Sequence, residues 1–224
     1  MADIADKSAL RDAAAIVLLR ESNSGPQVLM GQRGAGAAFM PEKFVFPGGA
    51  LDQTDAHVPL AHPLNPACAG RLAQGHPAPQ ALAAAAIREL WEEAGLRLGT
   101  PGGWEDPPAD WAEFAAAGLR PNAAPLRFFF RAITPPGRPR RFDARFFLAP
   151  AEEIAGDPDD FSAACDELSH LHWVDLAEAR KLNLPFITEI VLAEAEAIAC
   201  GEAMAPSVPF FDNATEVSQF RRIA

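Results

Sequence analysis

Positive charge is scarce in this chain of 224 residues: 19 Lys and Arg stand against 30 Asp and Glu, a formal net charge of −11. Non-specific attachment to DNA, RNA or an anionic membrane rests on Lys and Arg neutralising phosphates, so none of these partners is expected. An anionic small substrate would need a local cluster of bases. Cysteine is sparse too. Cys68, Cys165 and Cys200 are odd in number, far apart and without a C-x-x-C pair, which excludes a disulfide framework and leaves buried or free thiols as the expectation. Long apolar runs are missing: stretches such as Ala13–Leu19 fall well short of the ~20 residues that span a bilayer. Met1–Lys7 carries Asp3, Asp6 and Lys7 where a leader would be basic. The chain therefore reads as cytoplasmic. No repeat, charge run or low-complexity tract divides it, and 49% hydrophobic residues suffice for one sizeable core. Residues 1–224 are expected to form one α/β domain.

What is present sets an element order. Ala13–Leu19 reads as a buried strand, and Gln27–Arg33 returns beside it after the Ser22–Pro26 turn as a hairpin. Lys43–Phe46 forms a short strand that Pro47-Gly48-Gly49 must end, because proline lacks a donor and glycine tolerates unusual dihedrals. Residues 56–79, interrupted by several prolines, read as an irregular insertion with one short helix near Pro66–Ala73. Gln80–Ala94 is the strongest helix, rich in Ala and terminated by Gly95. A helical piece at Ala109–Ala117 follows. The runs Leu126–Ile133 and Phe142–Leu148 are expected to pair as strands around Pro135-Pro136-Gly137. His170–Val174 is expected to be the last strand, before helices at Leu176–Leu182 and Pro185–Cys200.

The chemistry concentrates in Arg88-Glu89-Leu90-Trp91-Glu92-Glu93-Ala94-Gly95-Leu96. At about 100° per residue, Glu89, Glu92 and Glu93 share one arc while Ala83, Ile87, Leu90, Trp91 and Ala94 gather opposite. These carboxylates crowd the last turn, where the helix dipole is negative and like charges at i,i+3 and i,i+4 repel. A bound cation of high charge would offset that repulsion. Oxygen ligands without a nearby His or Cys suit Mg²⁺ or Mn²⁺ rather than zinc. The ordinary alternative is a solvated acidic face, against which stand the upstream Phe46-Pro47-Gly48-Gly49 turn and the acids Asp52 and Asp55. His57, His62, Cys68 and His76 match no zinc spacing and are read as incidental to the insertion.

The Gly48-Gly49 turn, Asp55 six positions after Gly49, and Arg88-Glu89-Leu90-x-Glu92-Glu93-x-Gly95-Leu96 resemble the Nudix box, Gly-x5-Glu-x7-Arg-Glu-U-x-Glu-Glu-x-Gly-U with U aliphatic. The second half matches at every defined position. In the first half Asp55 replaces Glu, and 32 residues separate it from Arg88 in place of seven. The resemblance implies a Nudix-like α/β/α sandwich around a mixed sheet, with the insertion inside the box. It also implies hydrolysis of a nucleoside diphosphate linked to another group. Glu89, Glu92 and Glu93 would hold Mg²⁺ or Mn²⁺ together with a backbone carbonyl of the turn, Gly48 first, and Gly49 would let substrate approach. Arg88 would orient the glutamates. The general base is expected from Glu92, Glu93 or a loop acid: Glu152, Glu153 or Glu167.

For the substrate, the insertion, the Phe46–Asp52 wording and the block from Thr134-Pro135 to Phe147 resemble a Nudix branch that includes CoA and acyl-CoA diphosphatases, although Ala144 stands where that block has Thr. The Arg-x-His-x-Gly-Gln stretch of other Nudix CoA hydrolases is absent from Gln32–Met40. The chain has no tyrosine, the residue that diadenosine-polyphosphate hydrolases of this superfamily use downstream of the box. It also lacks the Ser-Gln-Pro-Trp-Pro-Phe-Pro segment of the NADH branch. ADP-ribose or another nucleotide sugar stays open, as does a catalytically silent binding module with this fold. Arg138, Arg140, Arg141 and Arg145 are the densest basic group and are expected as a phosphate clamp, with Arg33 a further candidate. Phe39, Trp104 and Phe128 are candidates to stack a base, with core packing the ordinary alternative. A homodimer is compatible with these readings.

Overall fold

The central strand β1 runs from Leu10 to Ser22 and buries Ala13, Ala14, Ile16, Val17 and Leu18. A strand covered on both faces needs this continuous apolar run rather than alternation. The computed structural model describes residues 9–37, 39–201 and 206–224, so Met1–Lys7 and Ala38 lie outside the described residues.

β2 (Gly25–Arg33) returns antiparallel to β1 through the pairs Leu19↔Val28 to Ser22↔Gly25. β3 (Phe44–Val45) continues from β2. β4 (Gly48–Ala50) then pairs with the other half of β1, Ala13↔Ala50 to Ala15↔Gly48. One edge of β1 thus passes from β2 to β4 near Ile16, whose amide donates to Pro47 O at 2.9 Å. The sheet splits at this proline, because it cannot donate to a ladder. The insertion follows, with a 3-10 turn at Gln53–His57 and helix α1 at Pro66–Leu72.

Helix α2 occupies Pro79–Ala94. Its N-terminal half is a run of buried alanines that lets the helix lie close against the sheet. β5 (Gly99–Pro101) and β6 (Leu119–Pro121) form a separate ribbon around a 3-10 turn at Ala109–Trp111 and helix α3 (Ala112–Ala116). β7 (Arg127–Ile133) and β8 (Arg141–Pro150) pair antiparallel, and β8 runs parallel to β1 from Leu10↔Arg141 to Leu19↔Pro150. β9 (Leu168–Asp175) pairs with β2, followed by helices α4 (Leu176–Ala179) and α5 (Phe186–Ala199).

His170–Val174 lies in β9, which is not the last strand. β10 (Val208–Asp212) joins β7 in parallel, and β11 (Gln219–Ile223) pairs with β10 at the edge. Pro209 and the polar Arg221-Arg222 concealed these strands, since neither suits a central strand. Among the described residues the sheet has nine strands, along the path β11-β10-β7-β8-β1-β2-β3 with β4 on β1 and β9 on β2. α1 and α2 cover one face and α4 and α5 the other, which gives the expected α/β/α layering around a mixed sheet. No helix among the described residues is long and apolar enough to cross a membrane.

Candidate active site

Gly95 ends α2 in the left-handed conformation (φ 71°), and its amide donates to Trp91 O at 2.8 Å. A Cβ there would lie 2.8 Å from the Ala164 amide, so the same glycine admits the chain at 163–165. That chain is tied down by the Cys165 amide, which donates to Glu92 O at 2.8 Å. Two residues later comes Glu167, which accepts from Arg33 Nη2 at 2.7 Å. The helix end therefore delivers a loop carboxylate toward its own glutamates.

The β4 glycines approach from the other side. The Gly48 amide donates to Glu93 Oε2 at 2.7 Å, and a Cβ on Gly49 would sit 2.4–2.5 Å from the Glu89 carboxylate. Any side chain at Gly49 would displace that group. Arg88, only 2% exposed, ties the cluster together. Its Nε and Nη2 donate to the two Asp55 oxygens at 3.0 and 3.1 Å, Nη1 to Glu89 at 2.9 Å and Glu92 at 3.0 Å, and Nη2 also to Ala50 O at 3.0 Å. Asp55 is fully buried and accepts in addition from the Asp52 amide. Asp55, which precedes the insertion, thus meets Arg88, which follows it, through a side chain one methylene shorter than Glu.

One arginine does not neutralise this set. Burial pushes the Glu89 carboxyl up to about 7 against the pull of Arg88, with Glu92 and Glu167 adding to the rise. Burial, then Glu89, raises Glu93 well above the usual range, while the Gly48 amide opposes. Glu92 is raised by burial as well. The acidic arc is therefore not a solvated face, since Glu93 is only 2% exposed. Among the described residues no three acidic, His or Cys side chains already stand as a metal cage. Glu89 and Glu92 turn to Arg88, and Glu93 turns to Gly48. Buried carboxylate oxygens with uncompensated charge are the donor set that a hard divalent cation fits.

Residues 9–194 match the NUDIX domain. The chain belongs to the Nudix family. Members of this family generally use divalent metal ions. A Caenorhabditis elegans protein named as nudix hydrolase 7 is 31% identical over 197 residues, which cover 80% of this chain and 58% of the relative. The chain thus spans less than two thirds of that protein's length. The crystal structure of a NUDIX hydrolase from Alicyclobacillus acidocaldarius superposes with a TM-score of 0.63 at 27% identity, covering 89% of this chain and 99% of that one. A Caenorhabditis elegans Ap4A hydrolase, crystallised as a binary complex, shares the fold at a TM-score of 0.50 and 17% identity, over 86% of this chain and 99% of that one.

The Nudix fold does not bring every expected residue together. Arg33 joins the cluster, since it pairs with Glu167 and its charge acts on Glu93. Glu152 and Glu153 sit exposed on the 3-10 turn after β8. Glu153 is not among the main charges acting on the helix glutamates, whereas Glu167 acts on Glu89 and Glu93.

The expected clamp of Arg141 and Arg145 is corrected. Arg145 is buried, with Nη1 donating to Asp12 and to Asp143 O and Nη2 to His76 O. His76 precedes α2, and Glu89 lies ten residues past the helix start, about 15 Å along the axis. Arg141 donates to Thr134 O, Asn213 O and Ala214 O, bracing the turn after β10. Charge density along the sequence could not reveal that both guanidiniums have backbone partners. Of the stacking candidates, Phe128 and Trp104 pack with the core, and Phe39 stands edge-on to Phe142 at 5.4 Å. Cys68 is buried, Cys165 and Cys200 are exposed, and all three are free thiols.

Proposed function

We propose that this chain is a divalent-metal-dependent pyrophosphohydrolase that cleaves the phosphoric anhydride of a nucleoside diphosphate linked to another group, with CoA or an acyl-CoA as leading substrate. The observation that carries the reading is the approach of Glu89 and Glu93 to the Gly48-Gly49 turn, with Glu89 and Glu92 held by a buried Arg88 whose donors are all engaged.

Each residue has a task in such a reaction. Asp55 and Ala50 O fix the Arg88 plane, and Arg88 holds Glu89 and Glu92 by charge-assisted bonds. Gly48 keeps Glu93 oriented inside the cluster, and its carbonyl is a further oxygen donor. When bound, Mg²⁺ or Mn²⁺ supplies neutralisation of the diphosphate and a water of lowered pKa. Arg33, which pairs with Glu167 and whose charge acts on Glu93, would hold a phosphate oxygen. Glu167, anchored through Cys165 and Glu92, is the loop acid best placed to accept a proton from the attacking water. CoA is favoured over ADP-ribose by the Phe46–Asp52 and Thr134–Phe147 wording and by the insertion.

The test is hydrolysis with Mg²⁺ or Mn²⁺ across CoA, acyl-CoA, ADP-ribose, NADH, dinucleoside polyphosphates and nucleoside triphosphates, with products identified by mass. Cleavage of CoA to 4′-phosphopantetheine and 3′,5′-ADP is expected. Cleavage of ADP-ribose alone would replace the substrate assignment. No cleavage, with divalent ions still raising the melting temperature, would make the chain a binding module.

A further inference from the structure

The strands β10 and β11 lie outside the residues that match the family, 9–194, and the reaction proposed above uses none of their side chains. β11 pairs with β10 on one side, and among the described residues nothing pairs with its other side. An open edge of this kind is a template for another strand. Three of the four large apolar side chains exposed among the described residues belong to this region: Phe220 (59% exposed) within the strand, Val217 just before it, and Phe186 at the start of α5. Phe211 of β10 connects two of them, with its ring 6.2 Å from Phe186 and 6.3 Å from Phe220.

Edge strands are ordinarily kept apart by charges that project along them. Here both arginines lean back onto the protein. Arg221 Nη2 lies 3.2 Å from Asp212 Oδ2 and donates to Gln219 Oε1 at 2.7 Å, and Arg222 Nη1 donates to Ser207 O and Oγ at 3.4 Å. Pro209 stands opposite Arg222, and without an amide proton it cannot form the pair that exchanges two hydrogen bonds. The pairs at Arg222 and, two residues earlier, at Phe220 are therefore of the other kind, whose amides and carbonyls point away from the partner strand. The open edge thus presents the backbone groups of Phe220 and Arg222.

We propose that β11 docks antiparallel on β11 of a second copy of this chain, with Phe220 on the two-fold axis. The charges select that register. Centring the pair on Arg221 or on Arg222 would set like charges directly opposite each other, which is destabilising. Centring it on Phe220 puts the two Phe220 side chains opposite each other, Gln219 opposite the other copy's Arg221, and Ser218 opposite its Arg222. Directly paired residues share a face, and Phe211 pairs with Phe220, so the four rings form one aromatic row across the axis. The two sheets become one, and a two-fold contact uses up both open β11 edges.

Sedimentation of the full chain over a range of protein concentrations should show a species of twice the 23.9 kDa of one chain. Phe220→Lys sets two like charges on the axis at an exposed position, so the core stays intact. It should raise the dimer dissociation constant at least about tenfold and leave the circular dichroism spectrum unchanged. The register is read by cross-linking in a Cys165→Ser/Cys200→Ser background, since those two thiols are exposed. In the proposed pairing the residues at 220 face each other about 5.5 Å apart, within disulfide reach, whereas those at 222 lie about 13 Å apart along the strands. Phe220→Cys should therefore give a covalent dimer on oxidation, and Arg222→Cys should not. A monomer at every concentration up to the solubility limit overturns the proposal. So does a dimer that Phe220→Lys does not weaken, or one that fails to cross-link through position 220 or cross-links equally through 222.

Discussion

Asp55 and Arg88, 33 positions apart, form a buried two-point pair with N–O distances of 3.0 and 3.1 Å. Removing one partner of such a pair leaves a charge without compensation, which costs about 3–5 kcal/mol. Asp55→Ala is therefore expected to lose stability of that order in chemical denaturation and to lower kcat, since Arg88 would no longer be held from behind. Unchanged stability would show that Asp55 does not brace the helix.

Gly49 and Gly34 make a matched test. An added Cβ at Gly49 meets the Glu89 carboxylate at 2.4–2.5 Å, whereas at Gly34 it meets nothing within 4 Å. Gly49→Ala should reduce metal-dependent turnover by at least about tenfold, in line with losses seen when groups supporting metal ligands are changed. Gly34→Ala should be neutral in activity and melting temperature. Equal behaviour of the two variants would remove the close approach from the mechanism.

Glu92→Gln and Glu93→Gln keep the shape of each side chain and remove its charge. Each is expected to lower Mg²⁺-dependent hydrolysis at least about 10²-fold while the circular dichroism spectrum stays unchanged. Full activity in both would sink the carboxylate mechanism. Glu167→Gln should lower kcat more than it changes KM, and Arg33→Gln should do the reverse, provided the ion pair divides into a base and a phosphate contact.

The pH dependence has a definite sign. Burial holds Glu89 at about 7 against an ordinary value of 4.5, and it raises Glu93 as well. A carboxyl raised on folding favours the folded state while protonated, so its contribution is complete below about 4.5 and lost as pH rises through about 7. Metal-free protein should therefore melt at lower temperature as pH climbs across that window, and Glu89→Gln should flatten the profile. Mg²⁺ or Mn²⁺ binds the deprotonated carboxylates and should raise the melting temperature most at the alkaline end. Thermal denaturation across pH, with and without metal, checks both signs.

Local chemistry made much of this protein legible in advance. The alanine-rich stretch before Gly95 specifies α2 through helix propensity and a left-handed cap, and the spacing of Glu89, Glu92 and Glu93 places them on one arc whatever surrounds them. The apolar run in β1 and the Pro47-Gly48-Gly49 break likewise act over a few residues. What depends on distant partners could be decided only by folding. That Asp55 reaches Arg88 across the insertion, that Arg141 and Arg145 turn inward to backbone carbonyls, and that β10 joins β7 despite Pro209 all follow from register and packing. Neither is written in the order of neighbours along the chain. A side chain's type says what it can bind, whereas its partners depend on which strands lie 4.8 Å apart.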